Sequence, residues 1–363
     1  MSWRALLTLL ALVAFATAQE AQPEPRDALL ARWQEALDLG EEAQLAREAP
    51  QLLEARAELR KDGDVLALYA RALARTGGAE RARELLLEAQ PTKATLPARE
   101  LALARLELDA DQLPAVVRRL ARPDPESPVR YPERAESWVL LGKARYRAGD
   151  TAGAVPLLER FVGGWRLHPD GPSAWHLLSQ AALARRDVQR AREFRDRAQS
   201  LASWHAFYKT RRIQVREAPK DPLPRFGLAQ LWASVEELGR ARAELERVFA
   251  LDPEFARAWA LLGEVERKAQ SFELAIRAYD RALELDATLS EARHNRALLA
   301  LLREDDAAAR IDLEILLEGP EAAEPKYLGA HLALARLLQR AGDEDAARER
   351  HARYVELGGT EEL

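Results

Sequence analysis

The chain has 363 residues and a net charge of -5, with 54 Lys and Arg against 59 Asp and Glu, and only 6% of its residues are aromatic. This length exceeds what one hydrophobic core usually organises, and the abundance of Ala, Leu, Arg and Glu with few β-branched runs predicts an all-α array. Interleaved acids and bases argue against a nucleic-acid partner, and the absence of cysteine excludes disulfides, thiolate metal sites and a cysteine nucleophile.

The N-terminus has the three parts of a secretory signal peptide over residues 1–18. Arg4 supplies a positive charge, an apolar run covers 5–15, and Ala16-Thr17-Ala18 is a small-residue cleavage site. The run is shorter than the roughly 20 residues that a membrane-spanning helix needs. We therefore predict cleavage after Ala18 and a periplasmic or secreted protein without stable membrane insertion. An uncleaved N-terminal membrane anchor is the alternative.

The region before residue 135 is the least regular part of the pattern. Residues 19–26 are polar and contain prolines, which predicts a disordered leader. Helical periodicity over 27–121 predicts an N-terminal capping hairpin followed by degenerate hairpins. Four prolines then interrupt the pattern over 122–134, which predicts a linker.

A two-helix pattern recurs over residues 135–201 and 222–317. In its clearest copy, Trp259, Leu262 and Gly263 share one face of a first helix, and Gly263 leaves room for a neighbouring helix. The small residue that begins each second helix recurs at intervals of 72, 37, 50, 34, 34 and 38 residues, at Ala82, Ala154, Ala191, Ala241, Ala275, Ala309 and Ala347. One such hairpin cannot bury both of its faces, so the hairpins are predicted to stack.

The interval of 50 residues contains an aromatic and basic insertion, residues 202–221. Four of its side chains fall on one helical side, namely Trp204, Phe207, Tyr208 and Arg211. This predicts an inserted helix that either fills a seam or docks a partner. Residues 318–327 are predicted to be a loop, and 328–363 a C-terminal capping hairpin whose polar outer helix faces water.

With this period, the Trp and Leu-Gly positions and the Gly-Asp turns, the chain resembles the tetratricopeptide repeat family over about residues 65–357. The resemblance implies an α-solenoid, a right-handed superhelix of about eight to nine hairpins, whose first helices line a concave groove for a peptide or protein partner. The side chains that match this groove are Lys143, Tyr146, Arg147, His176, Gln180, Phe226 and Gln230, followed by Glu264, Arg267, Lys268, His294 and Arg336.

One subclass of the family clamps a terminal carboxylate with lysine and asparagine. Asn295 occupies one possible clamp position, but Ala260 and Glu264 stand where lysine and asparagine would be needed. The resemblance therefore does not imply that kind of binding.

No motif in the sequence predicts catalysis. The six histidines show no HExxH pairing, and the chain has no GxxxxGK[ST] and no GxSxG, so we predict no metal, no cofactor and no enzyme activity. The favoured hypothesis is a protein-binding scaffold outside the cytoplasm. The alternatives are an envelope assembly subunit that docks through residues 204–216, and an enzyme or polysaccharide-binding module in 96–134.

Overall fold

The computed structural model describes residues 24–88, 96–120 and 132–363, and in these residues it has 18 α-helices, two 3-10 helices and no strand. The predicted signal peptide, residues 19–23 of the leader and most of the proline-rich linker lie outside the described residues. The helical array expected from composition and periodicity is confirmed.

The α-helices pair along the chain into nine hairpins in the described residues. The first five are α1 (Arg26–Leu39) with α2 (Glu42–Ala55), α3 (Gly63–Arg75) with α4 (Ala79–Glu88), α5 (Leu96–Asp109) with α6 (Leu113–Leu120), α7 (Pro132–Arg147) with α8 (Thr151–Gly164), and α9 (Gly171–Ala184) with α10 (Val188–Glu217). The last four are α11 (Pro222–Ser234) with α12 (Leu238–Leu251), α13 (Ala256–Lys268) with α14 (Phe272–Leu285), α15 (Ser290–Leu302) with α16 (Asp306–Glu318), and α17 (Leu328–Arg340) with α18 (Glu344–Glu356). The 3-10 helices are Ala57–Lys61 and Pro325–Tyr327.

Two compact units divide the chain, residues 1–205 and residues 206–363. The core of the first unit includes Trp33 of α1, which clusters with residues of α2 and α3, and it includes Leu158 and Phe161 of α8. The core of the second unit includes Tyr279 of α14 and Leu313 of α16. Each core is a row of contacts between neighbouring hairpins, as expected for stacked repeats.

The small residues that begin the second helices explain the close packing inside each hairpin. They are all buried, at Ala82, Ala154, Ala191, Ala241, Ala275, Ala309 and Ala347. In the clearest hairpin a Cβ on Gly263 would lie 2.5 Å from the ring of Tyr279, so only glycine lets α13 and α14 approach this closely.

The predicted inserted helix is wrong in the part of the chain that the structure describes. α10 continues unbroken from Val188 to Glu217, so residues 202–217 extend the second helix of the fifth hairpin. The physical reason is composition, because no glycine or proline occurs in α10 and the first breaker is Pro219.

The predicted disordered leader also ends earlier than expected. Glu24 pairs with Arg32 at 3.0 Å, and Arg26 begins α1 and pairs with Asp62. These ion pairs tie residues 24–26 to α1 and to the start of α3.

Candidate functional site

A cleft of about 340 Å³ lies in the unit of residues 206–363, lined by the first helices α11, α13 and α15. Phe226 and Gln230 of α11 line it, as do Ala260 and Glu264 of α13. Phe226 and Ala260 are 34 residues apart, as are Gln230 and Glu264, so equivalent positions of successive repeats line the cleft. We call this surface of the first helices the groove face.

One of the residues that line the cleft is a buried tyrosine. Tyr279 lines the cleft although its side chain is 0% exposed, and its hydroxyl has no hydrogen-bond partner of good geometry among the described residues. Arg267 and Asn295 lie beside it, and burial raises the pKa of Tyr279 to about 12. The hydroxyl therefore stays protonated at neutral pH.

Phe226 and Arg257 line the cleft, and Phe255 contacts both of them. The rings of Phe226 and Phe255 are 5.0 Å apart, and the Arg257 guanidinium lies 5.4 Å from the centre of the Phe255 ring. Within residues 206–363 no ion pair to Arg257 is found, whereas Glu264 pairs with Lys268 at 2.9 Å. The cleft thus presents an apolar surface, the Arg257 guanidinium and the side-chain amides of Gln230 and Asn295.

The loop of residues 319–327 forms another wall of the cleft through Glu321 and Lys326. Lys326 pairs with Glu324 at 3.1 Å and with Glu291 of α15 at 3.4 Å, which ties the loop to the groove face. Tyr327 is buried at the end of this loop.

Two histidines hold this wall in place. The His294 and Tyr327 rings meet edge to face at 5.2 Å. His331 is buried, and its Nε2 lies 3.0 Å from the Ala322 carbonyl oxygen, which can only accept, so Nε2 carries the proton. The Nδ1 atoms of both imidazoles are buried without a partner in the described part of the chain.

Acidification is expected to destabilise this wall. Burial lowers the pKa of His331 below its ordinary 6.5, and Arg350 and Arg353 lower it further against the opposing effect of the Ala322 carbonyl. Burial likewise lowers the pKa of His294, and Arg267 and Lys326 add to the shift. The unfolded chain therefore binds more protons, so stability present above about pH 6.5 is lost as the pH falls below it.

The measurement is the thermal unfolding midpoint between pH 8 and pH 5. His331→Gln keeps a donor for the Ala322 carbonyl and does not titrate, so its midpoint should fall less in acid than that of the wild type. His176→Gln replaces an exposed histidine and serves as the matched control. If the unfolding midpoints of wild type and His331→Gln fall equally between pH 8 and pH 5, protonation of His331 does not cause the loss of stability in acid.

Five of the predicted groove residues lie in the unit of residues 1–205, and one of them, Lys143, is already engaged. Its Nζ lies 2.6 Å from Oδ1 of Asp170, and Arg105 contacts the same carboxylate at 2.8 Å. These two cations outweigh burial and hold the pKa of Asp170 well below its usual range. Lys143 is therefore engaged within the chain, and its contact with a partner stays a prediction.

The other four residues of that unit have different surroundings. Arg147 donates to the Leu108 carbonyl at 3.0 Å, and Tyr146 packs against the α7–α9 core. His176 and Gln180 are exposed and bond to each other at 3.0 Å. Of the twelve predicted residues, Phe226, Gln230 and Glu264 line the cleft described above.

The predicted docking residues on α10 divide into three packed side chains and one exposed side chain. Trp204 is buried, the Tyr208 ring lies 5.2 Å from the Trp232 ring, and Arg211 covers Gly227. Phe207 alone of the four is largely exposed, at 61%. The packed three support the interpretation as a seam, and Phe207 remains a candidate contact.

Two absences in the described residues concern metal binding and membrane crossing. No three His, Asp or Glu side chains there are grouped so that they could hold a metal ion. Among the helices that the structure describes, none is both long enough and apolar enough to cross a membrane.

The tetratricopeptide repeat family matches the sequence at residues 139–204 and 226–290. Similar solved structures include MamA, with 18% identity over 47% of this chain and 92% of that chain and a TM-score of 0.36. Pseudomonas aeruginosa PilF is 16% identical over 62% of this chain and 92% of the PilF chain, with a TM-score of 0.36. YrrB, described as a TPR protein with an unusual peptide-binding site, is 15% identical over 55% of this chain and 92% of the YrrB chain, with a TM-score of 0.32. No curated protein matches the chain.

Proposed function

We propose that this protein is a non-catalytic scaffold that binds a partner segment in the cleft of α11, α13 and α15. The match of residues 139–204 and 226–290 to the tetratricopeptide repeat family, whose members bind other proteins, supports a role in protein binding. The observation that carries this proposal is the buried hydroxyl of Tyr279, a residue that lines the cleft, since this hydroxyl has no partner of good hydrogen-bond geometry among the described residues. A buried donor without an acceptor destabilises the empty cleft by about 1–3 kcal/mol, and a ligand oxygen would relieve that penalty.

The chemistry of the cleft suits an extended peptide. The Asn295 side chain has both a donor and an acceptor, as the peptide backbone has, so it can bond a backbone N–H or carbonyl. Phe226, Phe255 and Leu261 offer an apolar surface for one side chain. Arg257 favours an acidic group beside that side chain. A volume of about 340 Å³ lies at the lower end of the range for specific pockets and fits one or two residues of a peptide.

The location of this scaffold is proposed to be outside the cytoplasm. The charged start, short apolar run and Ala-Thr-Ala site of residues 1–18 support export and cleavage after Ala18. A second candidate function, docking to an envelope assembly through the end of α10, is favoured by the exposure of Phe207. Phe207→Ser would weaken partner recovery in that case and leave peptide binding at the cleft unchanged.

Removing the Tyr279 hydroxyl is expected to change stability and binding in opposite directions. Tyr279→Phe eliminates an unsatisfied buried group, so the free energy of unfolding should rise by about 1 kcal/mol. Peptides selected from a displayed random library with the full chain should lose about tenfold in affinity, since the hydroxyl no longer donates to them.

The controls separate a groove contact from a general loss of structure. Asn295→Ala should weaken the same peptides by about tenfold. Gln189→Ala removes an exposed amide on α10 and should leave the affinity unchanged. Equal affinities for wild type, Tyr279→Phe and Asn295→Ala, measured by fluorescence anisotropy, would exclude the cleft as the binding site.

A further inference from the structure

The chain folds back on its last hairpin after α18 ends. We call residues 359–363 the return segment, and they have no helical structure. Gly358 has a φ of 99°, a left-handed conformation that favours glycine. A Cβ on Gly359 would lie 2.2 Å from the Tyr354 ring, so this glycine lets the backbone pass directly over the ring.

Side chains of the hairpin bond both backbone groups of one residue in the return segment. The Glu361 N–H donates to the Tyr354 hydroxyl at 3.3 Å, and the Glu361 carbonyl accepts from His351 Nε2 at 2.8 Å. Arg336 donates to the Glu361 carboxylate at 3.1 Å and to the Glu362 carbonyl at 3.3 Å. Recognition of backbone together with one charged side chain is how proteins hold extended peptides.

The return segment combines acidic residues with an apolar residue. Leu363 packs against the hydrophobic core between α15 and α18. Thr360, Glu361 and Glu362 are exposed, and the Arg336–Glu361 ion pair is half exposed on both sides. An exposed ion pair contributes little to stability, so this pair does not prevent the segment from leaving the surface.

Arg336 places this contact on the groove face. Arg336 lies on the first helix α17, and its position in the repeat is equivalent to those of Leu298 in α15 and Glu264 in α13. The intervals that relate these positions are 38 residues, from Leu298 to Arg336, and 34 residues, from Glu264 to Leu298. Leu298 and Leu302 are 42% and 63% exposed, whereas the equivalent positions of α13 are the charged Glu264 and Lys268. The groove face therefore carries uncovered apolar surface next to the α17 position that the return segment contacts.

We propose that Arg336, His351 and Tyr354 form a second peptide-binding site, for short acidic segments followed by an apolar residue, and that the return segment occupies it within the same chain. An external segment of the same chemistry binds only when the return segment leaves. This site is separate from the cleft of α11, α13 and α15.

A labelled peptide with the sequence Gly-Gly-Thr-Glu-Glu-Leu tests the proposal by fluorescence anisotropy. It should bind a variant that lacks residues 359–363 about tenfold more tightly than it binds the full chain, because a tethered competitor acts at about millimolar effective concentration. Arg336→Ala in the shortened variant should abolish the gain. Arg348→Ala, which removes an exposed arginine that pairs with Asp345 on α18, should leave it intact.

Full-length Glu361→Arg provides a second way to release the segment, because it sets two cations against each other while keeping the chain length. It should bind the peptide as the shortened variant does. The proposal is overturned if neither variant binds the peptide more tightly than the full chain, if Arg336→Ala has no effect, or if shortening the chain unfolds α17 and α18, since the segment would then be a structural cap. Peptides selected for the cleft report on the proposed function separately, through Tyr279→Phe.

Discussion

Gly263→Ala is expected to lower the free energy of unfolding by about 3 kcal/mol, the upper end of what overpacking a well-packed core costs. The added Cβ would stand 2.5 Å from two ring carbons of Tyr279, closer than such atoms can approach. The ring is fully buried among the residues of α14 and α15, so it cannot turn away without opening other contacts. Urea unfolding followed by circular dichroism, with hydrogen exchange in α13 and α14, measures the effect.

Two other glycines provide matched comparisons. Gly239→Ala in α12 places a Cβ where no atom lies within 4 Å, so it should stabilise the helix by about 0.5–1 kcal/mol. Gly142→Ala meets the end of the Leu158 side chain at 2.8 Å, and a leucine can change rotamer, so its effect should fall between the two. Wild-type stability in Gly263→Ala would contradict the tight α13–α14 contact.

The same packing explains why the fold could be predicted from the sequence. Gly263 and Ala275 occur at the spacing that lets two helices approach closely. That spacing recurs because the two helices of each hairpin must pack against each other. The prediction was wrong for α10, where the period of the repeats suggested a break near residue 202. Local sequence decided the outcome there, since nothing before Pro219 stops a helix.

The site was harder to predict because it depends on contacts between distant residues. Lys143 has the position of a groove residue, but Asp170 enters from the loop before α9 and neutralises it. Tyr279 follows the pattern of a core residue and is buried as one, yet it also lines the cleft. Periodicity assigns a whole side chain to one face and cannot show that a core residue also borders a cleft.

Helical periodicity could not predict the contacts of the return segment with α18 either, for a different reason. The polar residues of α18 predict a helix that faces water, and most of them do face it. His351 and Tyr354 nevertheless bind residues 359–363, and the only sequence signal for this reversal is Gly358-Gly359.

Asp312→Ala is expected to destabilise the unit of residues 206–363 by about 3–5 kcal/mol, because it leaves buried arginine charge without its partner. The Asp312 side chain is almost wholly buried and accepts from Arg296 at 2.7 and 2.8 Å and from Arg293 at 3.4 Å. After the substitution, Arg296 would still pair with Asp280 at 2.6 Å. Buried Arg293 would be left with the Ala287 carbonyl as its hydrogen-bond acceptor. Urea unfolding gives the free energy.

The comparison that identifies the cause uses a surface pair and a double variant. Glu314→Ala on the same helix removes a partner of Arg310 in a more exposed pair, and it should change stability by less than about 0.5 kcal/mol. Arg293→Met with Asp312→Leu replaces both buried charges by apolar groups, so it should restore much of the stability that Asp312→Ala loses. If the double variant is as unstable as Asp312→Ala, the loss comes from missing attraction in the network. If it recovers, the loss comes from the desolvated charge of Arg293, and the acid on α16 is required because the arginine on α15 is buried.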